Sequence, residues 1–233
     1  MLEDCSGGQI VENIKEVPVI HKEIVLDVDG KFSIKKKISL VQIKTEKLSV
    51  GGSEGDKNIA SYQQKDGRVV TYLEKTPVTD KETGSVEQIV GAYHELRKRG
   101  LPVPPVVMLQ EKEGVKQLVM TEMTENGKYY LWGYSDNETR EQASEFKALG
   151  ITKSDIQIIE GKVLEIARKA TETNTSLEQH QFHIRKNKET GQFEIVLLDI
   201  DFQAVSKKEA EYSYEWKNQN VAKQFVEKIT GTN

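Results

Sequence analysis

The first third of the chain repeats short runs that alternate apolar with polar residues. "EIVLDV" (23–28), "KFSIKK" (31–36), "SLVQIKTEKLSV" (39–50), "IASYQQ" (59–64) and "RVVTYLEK" (68–75) are rich in β-branched residues. Asp29-Gly30, Gly51-Gly52 and Asp66-Gly67 separate them. A period of two puts alternate side chains on opposite faces of a strand, and Asp-Gly or Gly-Gly pairs admit the positive φ of tight hairpins. Turns this short can join only antiparallel neighbours. The sequence therefore predicts an antiparallel meander.

A single amphipathic helix follows. Ser85 and Gln88 have capping-box spacing, Val86, Ile89, Val90, Tyr93 and Leu96 recur at helical intervals, and Gly100 and Pro102 close the segment. "PPVVMLQEKEG" and "VKQLVMTEM" read as a further hairpin. Beyond them the period changes. A short helix is expected over 137–149, and a longer one with Ile156, Ile159, Val163, Ile166 and Ala170 on one stripe. Two strands around "NKETGQF" come next, and a last helix over 218–229 with Val221, Phe225 and Ile229 on one face.

Composition narrows the class. The 233 residues suffice for one large or two-lobed domain. With 30% charged residues and a net charge of −4, nothing global points to nucleic acid. The lysine run in "KFSIKKK" (31–37) is expected to be the solvated face of a strand. The single cysteine, Cys5, excludes an internal disulfide framework. No apolar run reaches the roughly 18 residues of a membrane span, and the start has no signal-peptide core, so a cytoplasmic location is expected. Trp132 and Trp216 are expected to pack internally.

"IVLDVDGKF" (24–32) resembles the first motif of haloacid dehalogenase-type phosphatases, which would make Asp27 a nucleophile and Asp29 a general acid. That chemistry requires a parallel sheet and a helix soon after the motif, but the next helix starts only near Ser85. The hairpin turn is the preferred reading, and a phosphate-ester hydrolase built on Asp27 stays a remote alternative.

Strands, one helix, two strands, a connector, then helices and a hairpin is the order of the protein-kinase-like fold, and individual stretches fit. "VGGSEGDKNIASYQQKDGRVVTYLEK" (50–75) resembles the Gly-rich loop and the two following strands. "HELRKRGLPVPPVV" (94–107) is similar to the end of the helix in aminoglycoside-phosphotransferase-like and RIO-type kinases. "TEMTENGKYYL" (121–131) looks like the interlobe hinge, and "FEIVLLDIDF" (193–202) like the strand ending in a metal-binding Asp. The resemblance spans residues 40–202. It implies a two-lobed α+β fold: an N-terminal extension (1–21), an antiparallel N-lobe with one helix (22–123) and a short, mainly helical C-lobe (124–233).

The same resemblance implies a nucleotide site using ATP and Mg2+. Gly51, Gly52 and Gly55 would cover the phosphates, Thr121, Glu122 and Met123 would form the adenine edge, and Asp199 would hold the metal. Asp201 is either a second ligand or the first solvent-facing residue after the strand. The expected lysine slot falls on Leu73, with Lys75 two residues on and on the same strand face. The helix glutamate slot falls on Ile89; Glu87 is wrongly placed around the helix, and a one-turn shift would bring in Glu95. Counting back from Asp199 puts Glu178 at the catalytic base and His183 at the second metal ligand. A different hairpin length would put Ser176 and Gln181 there instead. With all four slots substituted, the sequence predicts a degenerate kinase-like protein that binds a nucleotide and acts mainly through a protein partner. The alternative is an active, atypical phosphotransferase using Lys75, Glu178 and Asp199.

Overall fold

The structure is a computed structural model that describes residues 11–12, 17–27, 31–47, 57–77, 79, 84–121, 130–131, 151–178, 181–186, 190–206 and 211–230. Its N-terminal part is β-rich: β1 (Val11–Glu12), β2 (Val17–Leu26), β3 (Phe32–Lys47), β4 (Lys57–Gln63) and β5 (Val69–Lys75). Helix α1 (Val86–Lys98) precedes β6 (Val107–Lys112) and β7 (Val115–Thr121). After β8 (Tyr130–Leu131) the chain is more helical: α2 (Lys153–Glu172), the hairpin β9 (Phe182–Lys186) and β10 (Phe193–Leu197), then α3 (Gln203–Ser206) and α4 (Glu211–Thr230). At this coarse level the chain is α+β, with a β-rich N-terminal region and a helical C-terminal one.

The meander closes on itself. The sheet order is β1-β3-β2-β6-β7-β5-β4, and β3 also pairs with β4, so six antiparallel strands form a ring with β1 appended. Closure removes most strand edges. Two runs expected as separate strands, 31–36 and 39–50, form the single strand β3, with a register irregularity opposite Glu23/Ile24. Its partner β2 begins at Val17, so the end of the expected N-terminal extension is part of the sheet. Strands β2 and β3 pair as antiparallel neighbours out to Leu26 and Phe32, while the expected Asp29-Gly30 turn lies outside the described residues. Asp27 N–H donates to Lys31 O at 2.9 Å, and Asp27 Oδ1 accepts from Lys31 N–H at 2.9 Å. The β6–β7 turn uses Glu113 and Gly114, both at positive φ (54° and 79°), the backbone of a tight hairpin.

Inside the ring, Val19, Leu40, Ala60 and Tyr62 make a small apolar cluster beside buried polar groups. Glu74, 1% exposed, accepts from Gln42 Nε2 at 2.8 Å, from Gln110 Nε2 at 3.0 Å and from the Tyr62 hydroxyl. His21 Nε2 meets Gln110 Oε1 at 2.7 Å, and its ring contacts Tyr62 edge-on. Burial lowers the His21 pKa, outweighing the opposing effects of Gln110 and Glu74. Removing any one of these partners would strand a desolvated polar atom.

The outer face of the ring carries the main core. Ile24, Val107, Leu109, Leu118 and Met120 pack on Val86, Ile89, Val90, Tyr93 and Leu96 of α1, and this core continues through α2, β9, β10 and α4. Ser85 and Gln88 form the expected capping box on α1, and Thr152 with Asp155 forms another on α2. Arg99, just past α1, ties the two regions together. Its guanidinium donates to Thr173 O at 3.0 Å, Asn174 O at 3.3 Å and Thr175 Oγ1 at 3.0 Å, satisfying carbonyls at the end of α2.

Two expectations are corrected. Trp216 is 72% exposed on α4, so it does not pack internally. The last helix begins at Glu211, seven residues before the expected start at 218, because α4's contact with α2 is only one face of a longer helix. The short helix expected over 137–149 and Trp132 lie outside the described residues.

Candidate functional site

Three distant segments bring charged groups together where the β-rich and helical regions meet. Alternation along β5 sends Leu73 into the main core and Glu74 into the ring, and returns Lys75 to the face of Leu73. Lys75 Nζ donates to Asp199 Oδ1 at 2.7 Å. The register of β9 against β10 sets His183 opposite Val196, which brings its Nε2 to 3.8 Å from Asp199 Oδ2. One carboxylate thus faces a cation on one oxygen and an imidazole on the other.

The segment carrying Asp199 is held on every side by backbone bonds. Leu197 N–H donates to Pro102 O at 2.7 Å, Leu198 N–H to Gln181 O at 3.0 Å, and Ile200 N–H to the Tyr93 hydroxyl at 3.3 Å. Asp199 itself has φ 50°, in the left-handed region that few non-glycine residues adopt. Such a conformation costs on the order of 1 kcal/mol and persists where neighbouring contacts over-determine it. Burial pushes the Asp199 carboxyl up, but the charges of Lys75, His183 and Lys57, with the Lys75 hydrogen bond, outweigh it. The result is a pKa of about 2.

The donor set admits part of a magnesium shell. Among the described residues no three His, Cys, Asp or Glu side chains converge as a metal cluster. Magnesium often takes only one or two carboxylates, with phosphate and water oxygens completing the shell. Asp199 could serve in that way through Oδ2, or through Oδ1 if Lys75 moved off it. Asp201 is engaged as a helix cap, its Oδ1 accepting from Ala204 N–H at 3.0 Å at the start of α3. His183 supplies imidazole nitrogen, which suits softer metals.

Glu178 lies in a second place. It lines a polar recess of about 20 Å³ with Ser176, Gln181, Asp201, Gln203, Ala204 and Lys217. Gln181 Oε1 accepts from Glu178 N–H at 2.9 Å. Both sequence registers are therefore represented in space, with Ser176, Glu178 and Gln181 around the recess and His183 at the carboxylate. Thr121 ends β7, and its Oγ1 accepts from Val106 N–H at 2.9 Å. Gly51, Gly52, Gly55, Glu122 and Met123 lie outside the described residues.

The helix carboxylates are committed elsewhere. Glu87 pairs with Lys116 at 2.5 Å, Glu95 pairs with Lys98 at 3.1 Å and Arg99 at 3.2 Å, and Ile89 is a core residue. Neither carboxylate bonds Lys75, whose Nζ donates to Asp199. Sequence reasoning missed three contributors: Lys57, which adds positive charge near Asp199, Tyr93, which anchors the following residue, and the polar interior of the ring. The alternation in "VVTYLEK" does give the opposite facings of Glu74 and Lys75, but ring closure gives Glu74 its partners.

No family model, curated protein or solved structure matches this chain.

Proposed function

We propose that this chain is a degenerate kinase-like protein that binds a nucleotide between its β-rich and helical regions and acts mainly by binding a protein partner. The observation that carries the reading is the contact of Lys75 with Asp199, residues 124 positions apart, at the point where strand β10 gives way to a strained residue. The element order supports it: antiparallel strands, one helix, a hairpin, then helices flanking a second hairpin. In this reading Lys75 and Lys57 attract the nucleotide phosphates, which would compete with Asp199 for Lys75. Asp199, released from Lys75, would hold a magnesium ion that arrives with the nucleotide.

The positions of the other groups support degeneracy. The lysine slot of the simplest alignment is the apolar Leu73, no carboxylate of α1 bonds Lys75, and Glu178 lines the recess beside Asp201. Phosphoryl transfer depends on positioning, where a misplacement of about 1 Å can cost a hundredfold, so a glutamate one methylene longer than aspartate is a poor base. Binding without turnover is the expected behaviour.

The test is a thermal-shift titration with ATP and ADP, with and without magnesium or manganese, alongside an assay for ATP consumption. Asp199→Asn is the informative variant, because Asn keeps the shape and tolerates the left-handed backbone. A rise in melting temperature with nucleotide, altered in Asp199→Asn and without turnover, supports the proposal. Turnover abolished by Asp199→Asn would favour the active phosphotransferase using Lys75, Glu178 and Asp199. No shift with any nucleotide would refute the cleft.

A further inference from the structure

We infer that the far half of strand β3 is a docking edge for an extended acidic peptide, which would add to the sheet as a further strand. The ring closes only over part of β3. Strand β4 pairs with it from Val41 to Lys47, while β2 covers the opposite edge from Phe32 to Gln42. Among the described residues nothing pairs with the β4-side edge of Phe32–Leu40, because β4 ends at Gln63 and turns back through Gln64–Arg68. Every second residue of that stretch directs its backbone N–H and C=O outward, a ready template for strand addition.

The edge borders a groove. Lys36, Lys37, Ile38, Ser39 and Leu40 form one wall, and Gln64, Lys65 and Asp66 of the β4–β5 turn form the other, enclosing about 450 Å³. Five strand residues span about 17 Å, room for a five-residue segment. Ile38, half-buried, supplies apolar footing between charged residues, while Leu40 is buried in the ring interior.

Charge selects the occupant. Lys35 is paired with Glu23 at 3.1 Å, but Lys36, Lys37 and Lys65 have no ion-pair partner among the described residues. The one carboxylate among the described lining residues, Asp66, is taken by Arg68 at 2.7 Å. The groove is left with three uncompensated positive charges beside open backbone groups. A second copy of this chain would set lysine against lysine across the new pair, which is unfavourable. Among the described residues no aromatic side chain lines the groove to stack a nucleobase. A peptide alternating acidic and apolar residues satisfies charge, footing and backbone together.

This deepens the partner-binding reading and rests on it, while its physical basis is independent of the Lys75–Asp199 site. The full chain is titrated into fluorescein-labelled Glu-Val-Glu-Val-Glu-Val-Glu, followed by fluorescence anisotropy at 0.05 and about 0.15 M salt. The controls are the same peptide N-methylated at alternate residues and a labelled oligo-dT of equal charge. Saturable binding is expected, weakened at least tenfold by N-methylation, by Lys36→Glu/Lys37→Glu and by Lys65→Glu. Both variants alter exposed side chains and should keep the wild-type melting temperature and nucleotide response, so a failed groove and a failed nucleotide site are distinguishable. Equal binding of the N-methylated peptide or the oligonucleotide would reduce the edge to a basic patch and overturn the proposal. So would no saturation of the alternating peptide at 1 mM, or wild-type dimerisation in sedimentation velocity that the charge reversal abolishes.

Discussion

Replacing Lys75 with Met keeps most of the side chain's volume and removes the cation from Asp199 Oδ1, 2.7 Å away. The carboxyl has a pKa of about 2 in the folded chain against 3.8 when unperturbed. Each unit of difference corresponds to about 1.4 kcal/mol, so the favourable environment of the charged form contributes roughly 2 kcal/mol near neutral pH. The sign is that of a depressed acid. The stabilisation is complete above about pH 4, where the unfolded carboxyl is also ionised, and is lost as pH falls toward 2. Independently of that net balance, to which His183 and Lys57 also contribute, urea unfolding of wild type, Lys75→Met, Asp199→Asn and the double variant should give a coupling energy of about 2 kcal/mol at pH 7, the size of a charge-assisted hydrogen bond. The coupling should shrink progressively between pH 4 and pH 2. In Lys75→Met, burial acts on Asp199 with less opposition, so its folded-state pKa rises toward the unfolded value and the loss of stability between pH 4 and pH 2 should be smaller than in wild type. A coupling below about 0.5 kcal/mol at pH 7, the range of solvent-screened surface pairs, would refute the reasoning.

Two further perturbations probe the frame around the site. Arg99→Met should cost about 2 kcal/mol in urea unfolding, because a charged donor is lost from two carbonyls and a hydroxyl at the end of α2. An effect under 0.5 kcal/mol would mean that water replaces the guanidinium there. Gly91→Ala reverses the usual rule that alanine stabilises a helix interior. Its Cβ would lie 2.5 Å from Leu26 Cγ, so a loss of about 1–3 kcal/mol is expected from overpacking, and a gain in melting temperature would show that the β2 end can shift.

The sequence by itself determined the local structure. Period two, β-branched residues and Asp-Gly pairs specify antiparallel strands and hairpins, because each depends on a few neighbouring φ and ψ values. The boundaries of α1 follow from Ser85, Gln88 and Gly100 for the same reason. The solvated character of the 31–37 run and the hairpin at Asp27 were also legible. Site residues were legible only as candidates: Lys75, His183 and Asp199 could each be named, but not their mutual distances, which depend on the register of three separate strand pairs.

Tertiary structure decided the rest. Ring closure through β3 and β4 depends on a pairing between strands that no turn residue encodes, and it creates the polar interior around Glu74. The length of β3 beyond β4 leaves an edge unpaired among the described residues, where sequence alone presents a lysine-rich strand face. The commitment of Glu87 and Glu95 to Lys116, Lys98 and Arg99, rather than to Lys75, is set by the rotation of α1 against the sheet. Local dihedral preferences are written residue by residue. Which faces meet is fixed by the burial of the whole apolar surface at once, and that is a property of the folded chain.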